Sequence, residues 1–291
     1  MTTFDADVRI LACSNCGAPL PPVGPEGGSA QCGFCRQSSY VGVRDDGSVS
    51  TGAPVDEAQR MASLWRQVDV GFMVHPEVTQ LGEHGALTDA SFEAARRQWE
   101  QIRAIAGDPV QAPAVGDDLM WLTTLLAGFW AQRGDRLRVR ALWESTLDAS
   151  HGPRQRQFCR GSLCRLSVND GDLDAAAKWL RPCDPQASDL CSDSTYRLSY
   201  AFLTSAQGQH QNALQALGQT ADELPWFFSV RILATVVRAN AIERLGDVTR
   251  AADQLRQLAA ANPDAAATVP AMRRANVGLD LCPQSIPMVF G

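Results

Sequence analysis

No stretch of this 291-residue sequence stays apolar long enough to cross a bilayer: runs such as 119–130 fall far short of the ~20 residues a spanning helix needs. The start of the chain also lacks a basic segment followed by an apolar run, so no export signal is read there and the chain is expected in the cytoplasm. Basic charge is in deficit, with 26 Lys and Arg against 32 Asp and Glu, and that balance argues against general nucleic-acid binding, which needs surplus cations to neutralise phosphates. Lysine is almost missing. Lys178 is the only one, and the arginine that takes its place is as easily explained by a GC-rich genome as by selection for bidentate contacts. The four histidines, His75, His84, His151 and His210, lie in or near predicted loops with no H-x-x-x-H ligand spacing. No G-x-S-x-G, P-loop, dinucleotide fingerprint or kinase set is present, so no enzyme is read from the motifs.

Cysteine is plentiful by comparison. Nine cysteines, an odd count, include the pairs Cys13-Ser14-Asn15-Cys16 and Cys32-Gly33-Phe34-Cys35, which points to reduced thiols and a metal more than to a disulfide framework. Two C-x-x-C turns supply a tetrahedral shell of four thiolates, a set that suits Zn²⁺ and leaves no open position for water or substrate. The role expected of the metal is structural, with one Zn²⁺ on Cys13, Cys16, Cys32 and Cys35. An iron site with the same ligands and a pair of redox dithiols are the alternatives at this point. Around the cysteines, residues 1–50 are rich in Gly and Pro, with short β-type runs at 8–12 and 38–43. The pairs and their spacer resemble those of the zinc ribbons. This ribbon is acidic, with Asp5, Asp7, Glu26, Asp45 and Asp46 against Arg9, Arg36 and Arg44.

Beyond residue 54 the pattern is helical. Two helices are expected over 55–106, the second opened by Thr88 as N-cap and carrying Phe92, Ala95, Trp99, Ile102 and Ile105 at helical spacing. Gly107-Asp108-Pro109 reads as a stop, and the segment to Gly116 as a linker. From 117 the sequence repeats. Gly134, Gly171, Gly208 and Gly246 stand at intervals of 37, 37 and 38 residues, each closing one apolar-periodic helix and preceding another. Seven residues before each glycine the side chain is small (Ala127, Cys164, Ala201, Ala239), and nine after it stands Trp143, Leu180, Leu217 or Leu255. Alanine follows five residues after three of the glycines, at 176, 213 and 251, and the first repeat has Val139 there. This register, with Pro225 and Pro263 closing the last two units, resembles the tetratricopeptide repeat. The resemblance implies a mostly α fold, a helical-hairpin solenoid over 117–276 behind a small β ribbon, and protein binding. The segment 277–291 reads as an extended apolar tail that caps the last repeat or docks another chain.

Between 133 and 165 eight arginines face three acids, and Arg154, Arg156 and Arg160 are candidates for docking an acidic partner or phosphate, against the simpler reading of a solvated basic face. Cys164, at a small-residue position, is expected to be a buried thiol. The function these features favour is a non-enzymatic adaptor or scaffold that binds other proteins. The alternative is a nucleic-acid- or transcription-associated zinc-ribbon factor, and an active site within 55–116 is the third reading.

Overall fold

The computed structural model describes residues 28–33, 38–43, 49–51, 66–67, 73–82, 86–220, 223–226, 228–262 and 265–291. It is mostly helical, with twelve helices among these residues. Strands β1 (Gly28–Gln31), β2 (Ser38–Val43) and β3 (Val49–Thr51) form an antiparallel sheet in the order β1-β2-β3. Strand β2 coincides with one run read as β-type, while the run at 8–12 lies outside the described residues.

The first helix expected over 55–106 falls mostly outside the described residues; those described before residue 82 form a two-residue antiparallel pair, β4 (Arg66–Gln67) and β5 (Met73–Val74), and a single-turn helix α1 (Pro76–Thr79). Val74 is completely buried. The second expected helix is α2 (Asp89–Ala106), with Thr88 as N-cap in a reciprocal capping box with Ser91. Ala95, Trp99, Ile102 and Ala106 form its buried face, and Ile105 lies outside that face. The linker is shorter than expected, because α3 (Ala112–Gln132) begins with Pro113 in its first turn, where a missing N–H costs nothing.

Nine helices follow α3: α4 (Arg136–Ala149), α5 (Pro153–Asn169), α6 (Leu173–Leu180), α7 (Leu190–Ala206), α8 (His210–Leu217), α9 (Phe228–Arg244), α10 (Val248–Ala261), α11 (Ala265–Ala275) and α12 (Ser285–Phe290). The four periodic glycines all have positive φ, from 72° at Gly134 to 99° at Gly246, so each makes the left-handed turn that ends one helix before the next. Asp135, Asp172 and Asp247 then cap the following helix by accepting the amide N–H three residues on. Each helix from α3 to α10 packs on its successor, α5 also packs on α7, and α7 on α9. The small and large residues of the repeating register are buried without exception. Two apolar cores result, one around α2–α4 and one around α6–α10, and α5 joins them by giving Phe158, Cys159 and Leu163 to the first and Cys164 and Val168 to the second. Across the first core, Thr123 donates to the Leu119 carbonyl and accepts from Trp99 Nε1 (2.9 Å) and from the Thr146 hydroxyl (2.8 Å), tying α2, α3 and α4 together.

The segment 277–291 is not extended throughout, since α12 occupies 285–290 and packs on α10. Six residues are too few to be helical alone. The helix persists because its first amides are capped from α9, and its packing on α10 is consistent with a cap.

Candidate functional site

Two helices converge on residues 276–286. From the end of α9, Asn240 Oδ1 accepts the Cys282 N–H at 2.9 Å, and the Glu243 carboxylate accepts the N–H of Gln284 (2.9 Å) and of Ser285 (2.9 Å) together with the Ser285 hydroxyl. Arg244 donates to both the carbonyl (3.0 Å) and the carboxylate (3.2 Å) of Asp280, and Arg273 donates to the same carboxylate. From the end of α5, Asn169 Nδ2 donates to Asn276 Oδ1 at 3.2 Å. Gly278 lies so close to α5 that a Cβ there would stand 2.3 Å from the Val168 carbonyl oxygen. Leu279, Leu281, Cys282, Ser285 and Ile286 are buried in this cleft.

Four of these bonds reach main-chain groups of the held segment, so the cleft grips a backbone. Hydrogen bonds to a carboxylate contribute more than neutral ones, about 1.5–3 kcal/mol each, and here they offset the cost of burying the Glu243 charge. Asp280 and Cys282 adopt φ of 43° and 45°, the left-handed region that non-glycine residues avoid. Burial among apolar groups, with Glu243 adding to it, pushes the Cys282 thiol far above its usual range.

A second polar pair sits where Gly33 approaches the helices. Asp118, 4% exposed on α3, accepts the His75 backbone N–H at 2.8 Å and pairs with its Nδ1 at 2.5 Å, fixing the residue that precedes α1. The carboxylate holds the proton on Nδ1 in the neutral ring. The pair borders a cavity of about 460 Å³ that Gly33, Glu77, Gln98 and Gln111 also line. Among the described lining residues there is no serine, threonine or cysteine. His75, expected in or near a loop, is clamped to Asp118.

Of the expected zinc ligands, Cys13, Cys16 and Cys35 lie outside the described residues. Cys32 directly follows β1 and is 1% exposed, a position that suits an inward-facing ligand thiolate. Among the described residues no group of three or more His, Cys, Asp or Glu is placed to hold a metal ion. Arg154, Arg156 and Arg160 all stand on α5. Arg154 Nε lies 3.9 Å from Asp189, Arg156 donates to the Ser150 carbonyl and Arg160 to the Pro182 carbonyl. The other arginines of that run are bound elsewhere: Arg133 to Asp89, Arg136 and Arg140 to Asp170, Arg138 to Asp135, and Arg165 to the hydroxyls of Ser162 and Ser199. Burial lowers Arg165 to about 10.

Cys159, Cys164, Cys183, Cys191 and Cys282 are all buried thiols outside any disulfide, so Cys183 and Cys191 do not pair. Reasoning from the sequence passed over Asn240 and Glu243. One signal was present: Glu243 stands three residues before Gly246, where the two preceding units carry the buried Val168 and Ser205, and a carboxylate at a core position needs a partner.

No helix among the described residues is long and apolar enough to cross a membrane. No protein-family model, no curated protein and no solved structure matches this chain.

Proposed function

We propose that this protein is a non-enzymatic adaptor that binds other proteins through a stack of tetratricopeptide-like helical hairpins over 117–276, with a structural zinc ribbon at 1–50. One observation carries the reading: Asn240, Glu243 and Arg244 hold main-chain groups of a chain segment laid across the ends of α5 and α9. Capture of a backbone by side chains on rigid helices is a way of recognising peptides that needs no substrate chemistry. The four left-handed glycine turns at intervals of 37, 37 and 38 residues support the stack.

In this reading Cys13, Cys16, Cys32 and Cys35 hold one Zn²⁺, and the metal supplies the folding energy that so small a glycine-rich segment lacks. Buried thiols outside any disulfide suit a reducing, cytoplasmic setting. Arg156 and Arg160, which have no carboxylate partner among the described residues, offer an acidic segment a positive edge.

The test is retention of partners from native lysate by the purified protein, beside a Cys13→Ser, Cys16→Ser variant, with metal content measured for both. A discrete protein held by the zinc-loaded form supports the adaptor, and its loss in the variant assigns the contact to the ribbon. Recovery of nucleic acid alone favours the zinc-ribbon factor of transcription instead. Recovery of nothing removes the adaptor's main support.

A further inference from the structure

We propose that the cleft over residues 276–286 is an exchangeable peptide site, occupied in cis by the chain's own segment until a partner segment of the same chemistry displaces it. This deepens the adaptor reading and rests on it. One bond from Asn240, two from Glu243 and one from Arg244 go to main-chain N–H and C=O groups, which every incoming peptide also carries. Side-chain selection comes from the surroundings. No Cβ fits at position 278. Apolar groups are buried at 279, 281 and 286, and small ones at 282 and 285. A carboxylate at 280 meets Arg244 and Arg273. The ligand class is therefore a segment that reads glycine, apolar, acidic, apolar, small, followed by a hydroxyl residue that opens a short helix.

The resident segment fits with strain. Two of its non-glycine residues, Asp280 and Cys282, hold left-handed φ, a cost that weakens the resident segment's own hold on the cleft. Its edges stay open to solvent at Val277 and Met288, 54% and 59% exposed, so an incoming chain can displace it from either side. Next to Asp280, a cavity of about 380 Å³ bordered by Pro270, Arg273, Arg274 and Val277 leaves room for that entry.

Amide hydrogen exchange on the full-length wild-type protein is the first test. The amides of Cys282, Gln284 and Ser285 are expected to exchange through a local opening insensitive to low denaturant, on the order of 100-fold faster than amides in the middle of α9. Equal protection, tracking global unfolding, overturns the site, because the segment is then a permanent part of the core. The second test uses a labelled synthetic peptide of residues 276–291 and the full-length Gly278→Val variant, whose own segment is blocked by the Val168 backbone. By fluorescence anisotropy this variant is expected to bind the peptide at least about tenfold tighter than wild type, the gain expected when a competing cis segment is removed, and Glu243→Ala in the same background is expected to abolish the gain. A Gly278→Val protein of wild-type helicity that gains no binding overturns the proposal, as does a wild-type mass that doubles with concentration, which puts a second copy's segment in the cleft. Should Gly278→Val not fold, exchange in the wild type decides. Failure here leaves the lysate experiment untouched, so the loss of this site is distinguishable from the loss of the adaptor.

Discussion

Glycine carries opposite meanings at different residues of this chain, and the difference is measurable. At Gly171, φ is 77° and an added Cβ would meet nothing within 4 Å, so Gly171→Ala pays only for the left-handed backbone, about 1–2 kcal/mol of stability. Gly128 lies inside α3 with the same empty surroundings, and Gly128→Ala is expected to raise stability by about 0.5–1 kcal/mol. Urea midpoints for the two variants that move in the same direction would refute the assignment of the periodic glycines to turns. The thiols make a second prediction. Burial raises Cys159 and Cys164 to about 12 and Cys183 and Cys191 to about 11. A raised folded value means stability fully present below the unfolded thiol value of about 8.5 and lost as pH rises through the folded one. Denaturation at pH 8 and pH 10 is expected to show that decline, less steep in Cys164→Ala. These glycines and the burial of Cys164 were legible in the sequence, because a fixed period exposes them. Glu243 was not, since its role depends on amides forty-one and forty-two residues further along.

Among the elements, the long amphipathic helices could be read and the short ones could not. Thr88 and the spacing of Ala95, Trp99 and Ile102 define α2 locally, and its capping box agrees. Helices α1 and α12 lack the length to be stable alone and exist through partners elsewhere: Asp118 on α3 for the one, Glu243 on α9 for the other. Replacing Asp118 with alanine strips the acceptor from the backbone and ring N–H of His75, and a cost of about 1–3 kcal/mol is expected. Protection of the amides of Val78 and Thr79, which bond the His75 carbonyl, is expected to fall with it. Unchanged exchange at those two amides would mean that the clamp does not hold α1.

For the molecule as a whole, the proposed ribbon and the helices make separate demands. Removal of metal by a chelator is expected to leave the far-ultraviolet helical signal nearly intact, because the two apolar cores over 74–286 are built from the helices and, among the described residues, do not include Cys32. Collapse of that signal would make the metal a keystone of the helical part too. Periodicity made the helical organisation visible from sequence; the ends of α5 and α9 coming together over residues 276–286 is a consequence of tertiary packing, which no local pattern encodes. The most direct measurement is retention of partners from native lysate by the wild-type protein and by the Asn240→Ala, Glu243→Ala double variant at equal helicity. A discrete protein held by the wild type and lost from the variant is the predicted result. Nucleic acid alone, no partner at all, or a partner held equally by both would contradict a protein adaptor that works through this cleft.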